Sequence, residues 1–377
     1  MSESKLIAFV SSNAWSVYNF RVDVIRHFIR SGYRVLVIAP DDDNSSLLIA
    51  EGCLYENVDF NNKSENPISD LSLYRQLKAL YRKHRPDFIF HYVIKPNIYG
   101  SLAARRLNIP SVSVITGLGY PFAKKNWLYF VVKALYKRAL KKVTEVWFLN
   151  NDDAKVFTSN HIIPIEKIKI LPGEGVNTAH FNPAFETPLT KNGRFVFLMS
   201  CRLLKSKGIG IYADAARILK KKNIDARFEL LGFFEKHPDS LTIEDIHKWE
   251  AEGLIHYNGF AKDVRGYLKN ADCFIFPSSY NEGVPRGLME AASMELPIIT
   301  SNNRGCKEVV LNNSNGYLCN SDDPFDLADK MEKMMNLSVE DRKRMGKNGR
   351  SLVMKKFNIE KVILLYDNLI SSLIESR

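Results

Sequence analysis

A chain of 377 residues with 45% hydrophobic and 25% charged content is too long for one ordinary core and suits two folded domains; disorder and fibrous repeats are excluded by the near-average composition. Its formal charge of +11 is unevenly placed, with 24 Lys/Arg against 16 Asp/Glu in residues 1–180 and 29 against 26 in residues 181–377. The opening MSESKLIAFVSSNAW lacks the parts of a signal peptide, no stretch of about 18 uncharged apolar residues occurs, and Cys53, Cys201, Cys273, Cys306 and Cys319 have no C-x-x-C spacing. The expectation is a cytosolic, soluble chain with core thiols and neither a disulfide framework nor a zinc site.

The first elements are a strand LIAFVSS (6–12), a helix NFRVDVIRHFIRSG (19–32) and a strand YRVLVIAP (33–40), which make one βαβ unit. A helix LSLYRQLKALYRKH (71–84), a strand DFIFHYV (87–93), a strand SVSVIT (111–116) before the turn GLG, and a strand EVWFLN (145–150) continue the alternation. Such alternation predicts a parallel sheet with helices on both faces. Within this half, KKNWLYFVVKALYKRALKK (124–142) carries seven basic residues and no acid, interleaved with aromatic and aliphatic positions. It is a basic amphipathic helix that suits either an anionic membrane interface or an ordinary packed helix with a solvated basic face. No helix-turn-helix, zinc-finger or RRM-type signature accompanies the charge, so nucleic acid is not the expected partner.

A stretch rich in Gly, Pro, Asn and Thr at 171–194 reads as the interdomain linker. After it come strands FVFLMS (195–200), RFELLG (227–232), CFIFPSS (273–279), PIITS (297–301) and GYLCN (316–320), with helices between them and an almost purely helical end. The fold class is therefore α/β: two Rossmann-like domains, a first at 1–180 and a second at 190–357, with ligands expected in a cleft at the carboxyl ends of the strands. Neither half opens with G-x-G-x-x-G, and no G-x-x-x-x-G-K-[ST] occurs, which removes the best support for a dehydrogenase or a P-loop enzyme.

The stretch NEGVPRGLME (281–290) sets Glu282 in a loop and Glu290 in a helix, with Pro285 suited to the first helical turn. Backbone N–H groups around Gly283, Val284 and Arg286 would present a helix N-terminus to an anion such as a diphosphate. Two carboxylates beside such an anion suit the hydroxyls of a sugar; alone, the stretch would equally make Glu282 a cap and Glu290 a surface position. The segment CRLLKSKG (201–208) places Arg202, Lys205 and Lys207 after the first strand of the second half, charge of the kind a departing diphosphate needs. In YNGFAKDVRGYL (257–268), backbone groups of Gly259, Phe260 and Ala261 can hold a flat base. Asp41, Asp42 and Asp43 form an exposed run, and no D-x-D stands where it would hold a metal on a diphosphate.

Four motifs in order, R-L-x-x-x-K-G at Arg202–Gly208, N-G-F at 258–260, P-S-x-x-x-E-G-x-P-x-x-x-x-E at Pro277–Glu290, and P-I-I-T-S…G-x-x-E at Pro297–Glu308, resemble the retaining GT-B glycosyltransferases of family 4. The resemblance implies that Arg202 and Lys207 bind the donor diphosphate, that Glu282 contacts the transferred sugar and that Glu290 holds the nucleotide ribose. Glu282, Arg202 and Lys207 are then the catalytic set, and Glu290, Gly283, Val284, Pro285, Gly259 and Phe260 the donor-binding set. The runs SSNAWSVYNFR (11–21), IKPNIYGS (94–101), ITGLG (115–119) and FLNNDD (148–153) resemble the membrane-associated branch that extends saccharides on undecaprenyl diphosphate for O-antigen, capsule or protein glycans.

That resemblance implies a metal-independent hexosyl- or N-acetylhexosaminyltransferase using a UDP-sugar as substrate, without a cofactor. It also implies a lipid-linked saccharide acceptor, an anionic membrane contact through 124–142, a peripheral position on the inner face of the membrane, and a last helix near 360–377 that completes the first domain. Asn13, Lys95, Asn97, Thr116 and Gly117 are the acceptor-side candidates. The chain departs from the family at Ser12, Asn13 and Ala14, where a glycine-rich loop is usual, and at Thr116, where a histidine is usual. His91 reads as a structural histidine, and Phe20 and Tyr99 as core. A UDP-sugar epimerase of the same fold and a non-catalytic sugar-nucleotide-binding protein are the alternatives.

Overall fold

The structure is a computed structural model that describes residues 4–59, 67–119, 122, 126–187, 193–235 and 237–375. The chain divides into two compact units, Met1–Glu174 with Ile359–Arg377, and Gly175–Asn358.

In the first unit seven strands form one parallel sheet: β1 (Leu6–Val10), β2 (Arg34–Ala39), β3 (Leu54–Asn57), β4 (Phe88–Tyr92), β5 (Ser111–Ile115), β6 (Glu145–Phe148) and β7 (Ile168–Ile170), ordered β3-β2-β1-β4-β5-β6-β7. Every residue of β1 and β4 is buried, which is why both segments read as unbroken apolar runs rather than alternating ones. The helices are α1 (Ala14–Arg30), α2 (Ser45–Ala50), α3 (Pro67–His84), α4 (Ser101–Arg106), α5 (Trp127–Ala139) and α6 (Asn151–Ser159). Helix α1 starts five residues before the expected 19–32, because Asn13 is its N-cap and accepts from the Ser16 N–H at 2.7 Å.

The second unit repeats the design with six strands: β8 (Phe195–Ser200), β9 (Ala226–Leu231), β10 (His256–Tyr257), β11 (Cys273–Phe276), β12 (Ile298–Ser301) and β13 (Gly316–Cys319), ordered β10-β9-β8-β11-β12-β13. Its helices are α7 (Ile209–Lys221), α8 (Ile243–Ala251), α9 (Arg265–Asn270), α10 (Arg286–Ser293), α11 (Pro324–Met335) and α12 (Val339–Lys356). In both sheets the chain reverses its direction of travel beside the first strand, between β1 and β4 and between β8 and β11. These are the points where an open parallel sheet parts its loops and takes a ligand.

The last helix, α13 (Ile359–Glu375), packs in the first unit. Tyr366 is fully buried there, its ring 4.8 Å from that of Phe90 and 4.7 Å from that of Trp147, and its hydroxyl 2.9 Å from that of Tyr92. The Tyr92 ring in turn lies under the buried Arg21 guanidinium, 4.1 Å away, which pairs with Glu174 at 2.5 Å. Deleting an aromatic side chain from such a core costs about 3–5 kcal/mol, so Tyr366 anchors α13.

Candidate active site

The loops that follow β8 and β11 meet at the switch point of the second sheet. Gly208 permits this: its φ is +82°, and a Cβ there would stand 2.2 Å from the Pro277 carbonyl oxygen. The Ser206 carbonyl accepts from the Ser279 N–H at 2.9 Å and the Tyr280 N–H at 3.2 Å, locking the two loops together. The end of β12 and the loop after it support them. Thr300 Oγ1 donates to the Phe276 carbonyl at 2.7 Å, and Asn303 Nδ2 to the Tyr280 carbonyl at 2.7 Å. Gly305, at φ +72°, passes so close that a Cβ would lie 2.1 Å from the Gly283 carbonyl oxygen.

This scaffold brings Lys207 and Glu282 together. Lys207 Nζ is 2.5 Å from Glu282 Oε1, with side-chain exposures of only 7% and 11%. Ser278 Oγ donates to the same carboxylate oxygen at 2.8 Å, and the Lys207 ammonium sits 4.9 Å from the centre of the Tyr280 ring. Five residues upstream, Arg202 pairs with Glu235 at 2.9 Å, and here both side chains are more than one third exposed. Burial raises the Tyr280 phenol above its ordinary pKa, and pushes the Cys201 and Cys306 thiols beside this cluster up to about 12, so neither thiol is a nucleophile at neutral pH.

Helix α10 opens next to Glu282. Its N-cap is Pro285 in an extended conformation and its first residue is Arg286, so Pro285 stands just outside the first turn rather than within it. Gly283, Val284 and Pro285 are buried. Glu290 lies one turn along α10 and accepts from Arg286 Nε at 2.8 Å. Gly259 accepts from the Gly232 N–H at 3.0 Å, and the Phe260 ring stands 57% exposed, edge-on to Phe233 at 5.6 Å. The Phe233 carbonyl receives the Leu203 N–H at 3.1 Å, which joins the 259–260 turn to the Arg202 loop.

The candidates of the first unit follow the carboxyl ends of β1, β4 and β5. Asn13 spends its carbonyl on the α1 cap. After β4 the backbone is strained: Val93, a β-branched residue, has φ +61°, and a π-helical turn follows at Pro96–Gly100. Lys95 pairs with Asp70 at 2.9 Å. Asn97 is fully buried and donates from Nδ2 to the Val114 carbonyl at 2.9 Å, tying the turn to β5. Thr116 and Gly117 are half-buried just past the end of β5. His91 is fully buried, with Nε2 at 2.9 Å from the Tyr81 hydroxyl and Nδ1 at 3.3 Å from the Ser101 hydroxyl; burial holds its pKa down at about 3. It is a neutral core residue.

Sequence reasoning missed Ser278, Ser206, Glu235, Asp239 and Asn303. Ser278 is the serine of the P-S-x-x-x-E motif, four residues before Glu282, but the motif alone did not say that its hydroxyl reaches that carboxylate. Among the described residues no group of three or more His, Cys, Asp or Glu is placed to hold a metal ion.

Two units of parallel α/β sheet, the second with a cation–carboxylate cluster at its switch point, define the GT-B class. Residues 182–352 match the family of glycosyl transferases group 1, and residues 6–150 match the glycosyl transferase 4-like family. The chain belongs to these glycosyltransferases. It is 29% identical over 351 residues, 89% of this chain and 90% of the relative, to the N,N'-diacetylbacillosaminyl-diphospho-undecaprenol alpha-1,3-N-acetylgalactosaminyltransferase of Campylobacter jejuni. It is 28% identical, over 78% of this chain and 77% of the relative, to the UDP-Gal:alpha-D-GlcNAc-diphosphoundecaprenol alpha-1,3-galactosyltransferase of Escherichia coli. Among solved structures, a glycosyltransferase from Rickettsia africae superposes with a TM-score of 0.84 at 20% identity over 100% of both chains. Anabaena HepE in complex with UDP superposes with a TM-score of 0.78 at 18% identity over 97% of this chain and 99% of that one.

Proposed function

We propose that this glycosyltransferase moves an N-acetylhexosamine or galactose from a UDP-sugar to a lipid-linked saccharide, with retention at the anomeric carbon, in the synthesis of a bacterial surface polysaccharide or glycan. The observation that carries the reading is the juxtaposition of Arg202, Lys207 and Glu282 at one sheet edge, beside the start of α10. The bond from the sugar C1 to the β-phosphate oxygen breaks as the acceptor hydroxyl oxygen bonds C1. The hydroxyl proton passes to the departing diphosphate. Arg202, Lys207 and the α10 dipole stabilise the charge that grows on that diphosphate, the service a metal gives elsewhere, so no metal or cofactor is needed. Glu282 faces the transferred sugar, Glu290 the ribose, and Gly283, Val284, Gly259 and Phe260 the rest of the nucleotide. Asn13, Lys95, Thr116 and Gly117 face the acceptor.

The Campylobacter and Escherichia relatives are named for diphospho-undecaprenol acceptors, which supports a lipid-linked acceptor here. A second support is α5. Trp127 and Phe130 stand 65% and 61% exposed on it, and Lys137, Arg138, Lys141 and Lys142 are exposed further along; Lys124 and Lys125 lie outside the described residues. One end of this face is aromatic and the other basic, the arrangement of a helix that rests on an anionic membrane surface from the cytoplasmic side. Among the described residues no helix is long and apolar enough to cross a membrane.

The test is thermal unfolding against nucleotides and nucleotide sugars, followed by transfer from the stabilising donor to an undecaprenyl-diphosphate-linked saccharide. Stabilisation by UDP and one UDP-sugar, abolished by Glu290→Ala, with product formed on the lipid acceptor, is the expected result. Donor isomerised without acceptor would replace the reading with an epimerase.

A further inference from the structure

Three cations at the donor edge each carry a carboxylate partner already: Lys207 has Glu282, Arg286 has Glu290, and Arg202 has Glu235. A diphosphate must therefore compete for them, and the three partners differ in how readily they yield. Glu282 is buried and also held by Ser278, and Glu290 shares one helix turn with its arginine. Glu235 sits on the segment between β9 and α8, its side chain and that of Arg202 exposed by 35% and 38%. An ion pair this exposed contributes little and exchanges at small cost.

The backbone beneath Glu235 is fixed independently of that pair. Ser206 donates both its N–H, at 3.0 Å, and its hydroxyl to the Asp239 carboxylate, and the Asp239 carbonyl accepts from the Lys205 N–H at 2.8 Å. Leu204 and Ser240 form an antiparallel bridge, the Leu241 N–H reaches the Leu203 carbonyl at 2.9 Å, and the Ser240 hydroxyl donates to the Glu235 carbonyl. The Glu235 side chain can thus leave Arg202 while its main chain stays in place.

We propose that Glu235 sets the affinity of the site for the nucleoside diphosphate: it gives up Arg202 when the diphosphate arrives and reclaims it to hasten release of the diphosphate product. The inference rests on the donor reading above, and adds a carboxylate whose role is to weaken binding. Exchange conserves the count of ion pairs at Arg202, with the planar guanidinium passing from a carboxylate to a phosphate that it grips in the same forked manner.

The test is calorimetric titration of UDP, with GDP, ADP and uridine in parallel, into the wild type, Glu235→Gln, Arg202→Ala and the double variant. Glu235→Gln is expected to bind UDP about three- to tenfold more tightly than the wild type, from loss of a competing exposed charge. Uridine, which lacks phosphate, should bind the two alike, and the gain should vanish in the Arg202→Ala background. A merely structural role for Glu235 would move uridine and UDP together and would weaken both. Unchanged or weaker UDP binding by Glu235→Gln, in a protein whose wild type binds UDP and whose Arg202→Ala variant binds it less, overturns the inference alone. A wild type that binds none of the three nucleoside diphosphates overturns the donor reading and this inference with it.

Discussion

Lys207 and Glu282, 75 residues apart in sequence, form a buried ion pair at the point where the loops after β8 and β11 meet. Burying two charges is costly and is recovered only by good geometry and added hydrogen bonds, here the Ser278 hydroxyl. Removing one partner strands the other. Lys207→Ala should therefore cost about 3–5 kcal/mol of stability, seen as a lowered melting temperature, and also reduce transfer about a hundredfold. The double variant Lys207→Met/Glu282→Gln should recover most of the stability and none of the activity. Recovery of both would sink the proposed roles of this pair.

Arg202 gives the opposite separation. Its pair with Glu235 is one third exposed, so Arg202→Ala should leave stability within about 0.5 kcal/mol. Turnover should still fall about a hundredfold if the guanidinium stabilises the departing diphosphate. Arg202→Lys should regain only part of the rate, since an ammonium lacks the fork. Steady-state rates over a donor series, with melting curves of the same samples, decide it.

Gly305 and Gly259 share a φ of +72°, yet only Gly305 is hemmed in. A Cβ at Gly259 meets nothing within 4 Å, so Gly259→Ala measures the backbone cost alone, about 1–2 kcal/mol. At Gly305 the same methyl strikes the Gly283 carbonyl and must displace the loop that carries Glu282. Gly305→Ala should destabilise more than Gly259→Ala and lower activity beyond what its lost stability explains. Equal effects on both readouts would mean that the loop contact is incidental.

Much of this was legible because parallel sheets write themselves plainly. Segments such as LIAFV and CFIF are buried on both faces and remain apolar throughout. Loops at strand ends were placed by the same logic, which put Arg202, Lys207 and Glu282 at one edge. What stayed hidden depends on side-chain geometry. Asn13 looked like a loop residue and is a helix cap; Asn97 looked available and is fully buried, because a π-helical turn carries it inward under β5. The segment after β9 has no periodicity, and nothing in its order of residues says that Asp239 grips Ser206 or that Glu235 reaches Arg202.

His91 makes a prediction about acid. Buried beside Tyr81 and Ser101, it stays neutral in the folded chain down to about pH 3, whereas an unfolded histidine takes a proton near 6.5. Between those values the unfolded state binds the extra proton, so stability rises with pH across the window and is lost as pH falls through it. From pH 6.5 to 4.5 this one group should cost about 2–3 kcal/mol. His91→Gln, which keeps a hydrogen-bonding side chain but cannot titrate, should melt lower than the wild type at pH 7.5 and close the gap as the solution is acidified. Parallel curves for the two proteins across pH 4.5–7.5 would contradict the assignment of a neutral buried imidazole.

The α5 face separates two contributions to membrane binding along one helix. Trp127 and Phe130 offer exposed aromatic area at its start, Lys137 and Arg138 offer charge in its last turn, and Lys141 and Lys142 add charge in the short 3-10 turn Leu140–Lys142 that follows it. Aromatic contact should persist in salt, whereas each cation near an anionic surface contributes about 1 kcal/mol that salt screens. In vesicle sedimentation, Trp127→Ser/Phe130→Ser should weaken binding at every ionic strength. Lys137→Gln/Lys141→Gln should weaken it at low salt and converge on the wild type at high salt. Both variants should melt like the wild type, because the replaced side chains face away from the Tyr129, Val132 and Tyr136 side that packs in the first unit. Equal wild-type binding to neutral and anionic vesicles would remove the charged half of the argument, and no binding to either would make this a solvated face.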